Sequence, residues 1–507
     1  MTDSLAPTDR AKIVVIGAGV AGLGSALALS RAGHRVTLIE RDATPLPADP
    51  DAAFEWDRRG APQVRHSHAL LARLRNLLRD RYPDVLADLL AAGATELRFT
   101  ETMPEEITDR DPRPGDEDLV ALACRRTTFE WVLRRTVLAA EGVTLLDGVT
   151  VDGLATSDDR ADGEVPRVTG VHVARADGQV ETLPADVVVG AVGRRSGVPR
   201  WLAGIGVELP STEEDTGIVY LSRFYRLRPE AEPPPATGPI GGDLGYLKYA
   251  VFQGDNRTFS VTFATATGDD ALRSLLLDPA GFDLAAACLP TTSPWVERDR
   301  SEAITPVHVM GGLLNRQVDY LDDAGRPRLR GFHAVGDAHT CTNPLYGRGC
   351  SLAMVGATLL ADALDQHPDD DVAVTLAYEA AAETEVHPWY LASVTQDRLN
   401  REQAAHEVVD APAAGPGETA EASDEVDPKT FMRDLMREGL MPAVRTDATV
   451  FRAFVRAFNL LDSPDALMAD ADVINRVMAA YAERDQRPPE PPLGPPRAEL
   501  MAVLEPA

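Results

Sequence analysis

The chain has 507 residues, 44% of them apolar and 25% charged, which is long enough for two or three globular domains with a large buried core. Its formal net charge of −29 disfavours binding to nucleic acid and to anionic membrane surfaces, because their phosphates would be repelled. Four cysteines without a CxxC pair indicate a reducing compartment, and the first residues carry no signal-peptide pattern. We therefore expect a cytoplasmic protein without a membrane span.

The first informative segment reads AKIVVIGAGVAGLGSALALSRAGHRVTLIERD. A short apolar run at 13–16 predicts a buried parallel strand, 23–31 continues as a helix, and a second strand at 36–39 ends in Glu40. In such a strand–turn–helix unit, glycines permit a tight turn, close approach of a pyrophosphate and close helix packing. The free N–H groups of the helix bind phosphate, and Glu40 is positioned to accept hydrogen bonds from ribose hydroxyls. The turn residues predicted to contact a dinucleotide are Gly17, Ala18, Gly19, Ala21 and Gly22.

A second segment, three hundred residues further on, has the same character. A predicted strand at 332–335 leads into Gly336 and Asp337, then into the loop TNPLYGRG and an apolar helix over about 351–364. Another buried strand at 187–189 leads into Gly193. This segment is a second set of residues suited to phosphate and sugar. The first glycine motif alone does not distinguish FAD from NAD.

The pairing of these two segments resembles the FAD-dependent monooxygenases of the p-hydroxybenzoate hydroxylase fold. Within that fold, RRGAPQVRHSHALLARLRNLL at 58–78, CRRTTFEWVLR at 124–134 and NPLYGRGCS at 343–351 resemble the flavin-dependent polyene epoxidases of polyether biosynthesis. The resemblance covers about 12–364. It implies an α/β fold with a Rossmann-like FAD-binding domain, an inserted antiparallel-sheet substrate domain and a C-terminal helical region.

The resemblance also implies roles for single residues. Asp337 would bind the ribityl chain of non-covalently held FAD, and Arg126 would contact the flavin cofactor. Arg41 would lie near the adenosine ribose, and the backbone at Val151 would meet the adenine. No side chain is expected to be catalytic by itself, but residues next to the flavin would include Pro344, Gly347, Gly349 and His66. The rest of the implied cofactor-binding set is Gln63, Arg65, Gly193, Gly336 and Cys350.

Two positions depart from the family pattern. Gly190 stands where the family has the aspartate of its Asp-x-x-Gly-Arg-x-Ser segment, so no role is assigned to that carboxylate. His339 is displaced by one position and receives no role either. The element around His66 and His68 leaves two alternatives open, either contact with the flavin or ordinary packed histidines.

Cys341, Cys350 and His339 allow three interpretations. A zinc site requires thiolates at short spacing with a second pair of ligands, and a redox disulfide is usually formed by closely spaced cysteines. Neither pattern is present. We therefore interpret both cysteines as small apolar side chains that fill space, and we predict no metal site.

The segment from about 217 to 315 alternates β-branched and aromatic residues over strand lengths, which predicts an antiparallel sheet bounding the substrate. We predict an FAD-binding domain at 1–204 and 326–366, a substrate domain at 205–325 and a helical region at 367–507, with an acidic linker near 407–428. The aromatic residues predicted to line the substrate pocket are Tyr220, Phe224, Tyr249, Phe252 and Phe263.

The resulting prediction is an FAD-dependent monooxygenase of secondary metabolism that inserts one oxygen atom from O2 into an apolar unsaturated small molecule. The resemblance implies a flavin C4a-hydroperoxide, with electrons from NADPH or from a partner flavin reductase. No obvious base is present in the predicted sheet, which favours epoxidation over phenol hydroxylation. An aromatic hydroxylase, a reductase of isoprenoid double bonds and a non-catalytic FAD-binding protein remain alternatives. A flavin halogenase shares the fold, but all five tryptophans are isolated and its Trp-x-Trp-x-Ile-Pro motif is missing.

Overall fold

A computed structural model describes residues 11–157, 164–175, 178–194, 197–235, 240–409, 428–488 and 492–505. The predicted acidic linker therefore lies almost entirely outside the described residues, as do Arg195 and Ser196. A parallel sheet of five strands forms the first layer and confirms the predicted α/β fold class. Its strands, in spatial order, are Phe332–Ala334, Val187–Gly190, Lys12–Ile16, Arg35–Glu40 and Val143–Asp147.

The residues in the middle of the central strands are mostly apolar, because helices or strands cover both faces of the sheet. One face packs against Val20–Arg31, Arg126–Ala139 and Gly349–Gln366. The other face packs against an antiparallel sheet of Val149–Thr156, Val168–Arg175 and Val180–Pro184, together with the helix Val198–Gly204.

A second antiparallel sheet, the large sheet, lies within the predicted substrate domain. Its strands follow the spatial order Gly241–Asp243, Leu247–Gln253, Thr258–Ala266, Ile218–Leu227 and Ser301–Ala303, and His308–Met310 also pairs with Ile218–Leu227. Three helices lie in the chain between Thr258–Ala266 and Ser301–Ala303: Asp270–Leu277, Pro279–Cys288 and Ser293–Val296. The first two cover one face of this sheet, which we call its back face.

Smaller elements connect these layers. Ser211–Asp215, Leu314–Val318 and Thr340–Cys341 form a three-stranded sheet, and Thr95–Arg98 pairs with Val120–Ala123. Eight further helices lie between residues 50 and 118 and between residues 336 and 346. Their bounds are Pro50–Phe54, Pro62–Arg65, Ala72–Arg81, Pro83–Ala91, Phe99–Glu101, Asp116–Asp118, Gly336–Ala338 and Pro344–Tyr346.

The C-terminal region is helical, as predicted, but its helices pack against different parts of the molecule. Asp371–Glu385 packs in the core of the parallel sheet. One group of its helices packs against Met103, Ile107 and Leu119 of the first half of the chain. The last helix instead buries Leu500 and Leu504 behind the large sheet. The helices are Asp371–Glu385, His387–Val409, Pro428–Leu435, the π-helix Met436–Leu440, Met441–Thr446, Ala448–Phe458, Ala466–Ala469, Ala471–Ala482, the 3-10 helix Arg484–Gln486 and Arg497–Leu504. The domain boundaries themselves stay predictions.

A buried ion pair joins the large sheet to the FAD-binding layers. Asp255, in the hairpin before Thr258–Ala266, accepts hydrogen bonds from the backbone N–H of Arg125 at 2.7 Å and from its guanidinium Nη2 at 2.6 Å. Thr128 donates to the same carboxylate at 2.8 Å. Burial raises the pKa of Asp255, but hydrogen bonds from Arg125 outweigh that effect and leave the pKa below its usual value.

We expect Asp255→Asn to lower the free energy of unfolding by about 3 kcal/mol, because Arg125 would keep a buried charge without its counterion. Urea denaturation with far-ultraviolet circular dichroism measures the effect. The matched control is Glu181→Gln, which breaks the exposed pair with Arg175 and should cost less than about 1 kcal/mol. Equal midpoints for the two variants would show that the buried pair does not stabilise the fold.

Candidate cofactor and substrate site

The glycine turn after the first strand has the geometry that the motif predicts. Gly17 has φ +99°, a conformation that favours glycine, and a Cβ on Gly22 would lie 1.7 Å from the carbonyl oxygen of Gly17. A Cβ on Gly19 would meet no atom within 4 Å, so open space borders the N-terminus of the helix Val20–Arg31. Free N–H groups beside open space suit a pyrophosphate.

Glu40 closes this turn from the end of the next strand. Its carboxylate accepts hydrogen bonds from the N–H groups of Ala18 at 3.0 Å and Asp42 at 3.1 Å, and only 7% of the residue is exposed. The carboxylate thus lies at the carboxyl end of a parallel strand beside the phosphate turn, where a ribose would bind.

The second predicted segment meets the first directly. Gly336 has φ +67°, and a Cβ there would lie 2.8 Å from the Cβ of Ala21 and 3.5 Å from that of Ala353. Asp337 follows the carboxyl end of Phe332–Ala334, and Val187–Gly190 lies between this strand and Lys12–Ile16 in the parallel sheet. The two motifs are therefore in contact in the folded protein, although about three hundred residues separate them in the sequence.

Asp337 lies among arginines. Burial raises the pKa of Asp337, while the charges of Arg126, Arg194 and Arg316 act in the opposite direction. Arg316 also donates to the carbonyl oxygen of Asp337 at 2.8 Å. An acidic side chain with nearby cations is a suitable acceptor for a sugar hydroxyl, as the ribityl assignment requires.

Arg58 is a charged residue of the site that the sequence patterns did not reveal. It is buried, donates to the carbonyl oxygen of Ala18 at 2.9 Å and lies 3.3 Å from the buried carboxylate of Glu130. Its Nε and Nη1 atoms have no hydrogen-bond partner within the described part of the chain. Because buried N–H groups are almost always paired, these donors indicate an anion or another acceptor at the phosphate turn. The sequence does not indicate which of the adjacent residues Arg58 and Arg59 is buried. The sequence analysis also did not identify Glu130 as a residue of the site.

Arg126 connects this cluster to the histidine element. Its guanidinium donates to Glu130 at 2.7 Å and lies 3.1 Å from Nε2 of His68. Burial and the neighbouring Arg126 lower the pKa of His68. His68 is therefore neutral at pH 7, and the ring can accept a hydrogen bond from the arginine at Nε2.

Asp397, on the helix His387–Val409, holds the loop 343–349 in position by hydrogen bonds. Its carboxylate accepts hydrogen bonds from Asn343 at 2.8 Å, Tyr346 at 2.6 Å and Asn315 at 2.7 Å. Gly347 adopts φ +67° and packs against Ala69, while a Cβ on Gly349 would meet no atom within 4 Å. Open space therefore borders the N-terminus of the helix Gly349–Gln366.

His66 lies between this loop and the large sheet. Its ring packs edge-on against Tyr220 at 4.9 Å between centroids, and its Nδ1 lies 3.2 Å from the hydroxyl of Ser222. Burial and the neighbouring His308 lower the pKa of His66 to about 3, so the ring is neutral at physiological pH. Contact of His66 with the flavin stays a prediction.

The large sheet requires a correction to the predicted pocket residues. Side chains alternate between the two faces of a strand. Tyr220, Phe224 and Phe252 lie on the front face, the one turned towards His66. Phe263 lies on the back face, fully buried against Phe282. Tyr249 belongs to the same back-face cluster and its hydroxyl donates to the carbonyl oxygen of Leu493. The side chain of Phe263 therefore points away from the predicted pocket. Tyr249, although its ring packs in the back-face cluster, is among the residues that line the cavity with Tyr220 and Phe252.

Other predicted residues occupy varied positions. Arg65 donates to the carbonyl oxygen of Phe54 at 2.8 Å, and Gln63 is half-buried in the same short helix. Gly193 adopts φ +68° beside open space. The side chain of Val151 is buried in the core, and that of Arg41 is exposed, so their contacts with an adenosine remain predictions. At Gly190 a Cβ would lie 2.7 Å from the ring of Phe332, so an aspartate there would require that ring to shift.

The cysteines behave as apolar side chains. All four are free, and Cys124, Cys341 and Cys350 are buried. Burial raises the pKa values of Cys341 and Cys350, so both thiols remain protonated at pH 7. His339 pairs with Glu379 at 3.2 Å and stacks on Tyr320. Within the described residues, no group of histidine, cysteine and carboxylate side chains could hold a metal ion, and no helix is long and apolar enough to cross a bilayer.

Comparisons with known proteins agree with this geometry. The family model described as FAD dependent oxidoreductase matches residues 12–48. The chain is 28% identical to Protein Rv3254 of Mycobacterium tuberculosis over 93% of its own length and 94% of that protein. It is 25% identical to a kynurenine 3-monooxygenase of Xanthomonas oryzae over 74% of its length and 76% of that enzyme. Among solved structures, the flavin-dependent brominase Bmp2 superposes with a TM-score of 0.57 over 94% of this chain and 99% of Bmp2, at 16% identity.

The fold and the paired glycine motifs define an FAD-dependent oxidoreductase, so the predicted enzyme class and its cofactor are confirmed. The resemblance to FAD-dependent monooxygenases is likewise confirmed, with structures of such monooxygenases and hydroxylases showing the same fold. The residues present fit the cofactor: open space at Gly19 and Gly349, the carboxylates of Glu40 and Asp337, and the unpaired donors of Arg58 among the described residues.

Arg58→Gln should weaken FAD binding about 10- to 100-fold, because it removes a charged donor worth about 1.5–3 kcal/mol from the phosphate turn. Fluorescence titration of FAD into the apoprotein measures this. Arg59→Gln is the control, since 83% of its side chain is exposed and it pairs only with Asp57 among the described residues. Unchanged FAD affinity in Arg58→Gln would remove Arg58 from the site.

Cys341→Ser and Cys350→Ala should retain FAD and turnover within about twofold of the unsubstituted protein, because neither thiol ionises or pairs with another cysteine. Flavin content and steady-state rates measured side by side test this prediction. Loss of turnover with FAD still bound would establish a redox role for the cysteine concerned.

Proposed function

We propose that this protein is an FAD-dependent monooxygenase that transfers one oxygen atom of O2 to an unsaturated small molecule, by epoxidation or hydroxylation. Reduced FAD would activate O2, with NADPH or a separate flavin reductase as the source of electrons. The observation that supports this reaction best is a cavity of about 70 Å³ between the front face of the large sheet and the loop 343–349.

The walls of the cavity suit oxygen transfer. Tyr220, Phe252 and Leu345 supply apolar surface, and Pro344 brings the loop next to it. Arg126 and Asp337 are close enough to Tyr220 for their charges to act on its pKa, so this wall lies near the predicted cofactor residues. A mostly apolar cavity near the bound cofactor would limit the access of water, and limited access of water favours transfer of oxygen to the substrate over release of hydrogen peroxide.

The chain also supplies positive electrostatic potential at the cofactor. The helix Gly349–Gln366 begins at the loop, and the dipole at its N-terminus would stabilise negative charge on a reduced ring bound at this end. Asp397 and its partners keep the loop, and hence this N-terminus, in position.

Oxygen transfer is tested by incubating the FAD-loaded protein with NADPH, 18O2 and a panel of alkenes and aromatic compounds. The proposal predicts substrate-dependent oxygen consumption and a product that carries one 18O atom. A product with two additional hydrogens and no 18O would indicate a double-bond reductase. A halogenated product that requires bromide or chloride would indicate a halogenase.

Phe252→Asn should uncouple the reaction, because a polar side chain in the cavity admits water without disturbing the back-face core. We expect the variant to bind FAD and consume NADPH and O2 while releasing several times more hydrogen peroxide per product. The control is Phe458→Asn on an exposed helix surface, where 44% of the phenylalanine is accessible. A peroxide yield equal in both variants would remove Phe252 from the pocket.

A further inference from the structure

The polar part of the cavity wall is a continuous row of hydroxyl groups, which we call the hydroxyl row. The hydroxyl oxygen of Ser222 lies 2.9 Å from that of Thr262, which lies 2.6 Å from that of Ser67, and Ser67 donates to Ser260 at 2.7 Å. The row begins at His66, whose Nδ1 is 3.2 Å from Ser222. Two of its members, Ser67 and Thr262, line the cavity.

The strand register explains why these groups share one face. Ser222 pairs with Thr262 and Phe224 pairs with Ser260 across neighbouring antiparallel strands, so all four side chains point to the front of the sheet. Ala250 pairs with Thr262 on the other side and leaves room above the hydroxyls. Thr262 is 9% exposed and lines the cavity, so its hydroxyl has little contact with bulk water.

The protons of the row determine what the two cavity-lining hydroxyls offer a ligand. Each hydroxyl carries one proton and two acceptor lone pairs. Ser67 and Thr262 each stand between two other members of the row, so each donates its proton to one neighbour and accepts from the other. Because the proton of Ser67 goes to Ser260, Thr262 must donate to Ser67 and Ser222 must donate to Thr262. The Nδ1–H of His66 then donates to Ser222. One acceptor lone pair remains on each oxygen, and no proton is left to donate.

The other polar groups of the cavity do not change this conclusion. The hydroxyls of Tyr220 and Tyr249 donate to the sulfur of Met310 and the carbonyl oxygen of Leu493. Lys248 is the single charged side chain among those lining this cavity, and its ammonium group pairs with Asp243 and lies 3.4 Å from the amide oxygen of Asn400. Its charge is thereby largely compensated, which argues against recognition of an anionic substrate at this end of the cavity.

We propose that Ser67 and Thr262 form an acceptor subsite that selects substrates with an O–H or N–H donor next to the unsaturated group. The proposal rests on the proposed monooxygenase function and adds the class of substituent that the substrate carries. A ligand without a donor, such as an ether or a plain hydrocarbon, leaves both lone pairs without a partner where there is little contact with bulk water. Sites that hydrogen-bond a substrate hydroxyl discriminate strongly against analogues that lack it.

The test compares matched ligand pairs on oxidised, FAD-loaded protein. The probes are 1-naphthol against 1-methoxynaphthalene, and geraniol against its methyl ether, followed by flavin absorbance changes and by calorimetry. In at least one pair, the unsubstituted protein should bind the hydroxyl compound about tenfold more tightly than its ether. Thr262→Val, which keeps the shape of the side chain, should reduce this ratio to about one, and Ser67→Ala should reduce it as well.

Thr265→Val is the matched control. It makes the same replacement on the same strand but on the back face, where the hydroxyl of Thr265 is buried and has no hydrogen-bond partner among the described residues. This variant should keep the tenfold ratio. The proposal is overturned if the unsubstituted protein binds both members of each pair equally, if it binds none of the four compounds, or if Thr262→Val keeps the discrimination.

Binding is measured without turnover, so its outcome does not depend on oxygen transfer. A protein that discriminates between the pairs but forms no product with 18O keeps the acceptor subsite and loses the monooxygenase proposal. A protein that transfers oxygen but binds ethers as tightly as alcohols keeps the monooxygenase proposal and loses the subsite.

Discussion

Close contact between the helix Val20–Arg31 and the chain that begins at Gly336 is the constraint on which the site depends. A Cβ on Gly24 would lie 2.6 Å from the sulfur of Met354, and one on Gly336 would lie 2.8 Å from Ala21. Only glycine allows the two helices and the turn to approach so closely. This approach brings the carboxylates of Glu40 and Asp337 to one edge of the parallel sheet.

The charge distribution around that edge is opposite to that of the whole chain. The chain carries a net charge of −29, yet the site gathers Arg58, Arg126, Arg194 and Arg316. Glu130 compensates part of this charge from within, since its carboxylate lies 3.3 Å from Arg58 and 2.7 Å from Arg126. A dianionic pyrophosphate would supply the remaining negative charge, so binding of the cofactor and stability of the cluster are coupled.

Because side chains alternate between the two faces of a strand, the two faces of the large sheet differ in their surroundings. Its back face is closed by Phe259, Phe263 and Phe282 and by the last helix of the chain, which gives the sheet a rigid apolar support. Its front face carries aromatic side chains together with hydroxyl groups, and it borders a cavity. The Arg125–Asp255 pair fixes this sheet to the helix that bears Arg126, so the cavity wall and the predicted cofactor residues are held at a defined distance.

The α/β fold, both glycine segments, the antiparallel sheet and FAD could be predicted from the amino-acid sequence, because glycine spacing and hydrophobic periodicity are local signals. The burial of Arg58 rather than Arg59 could not, because adjacent charged residues look alike in a sequence and differ only in what packs around them. Nor could the back-face positions of Phe263 and Tyr249, since aromatic residues favour strands on either face. The hydroxyl row depends on the strand register and on the position of Ser67, both of which arise from contacts between residues far apart in the chain, so no local pattern shows that these serines and threonines meet.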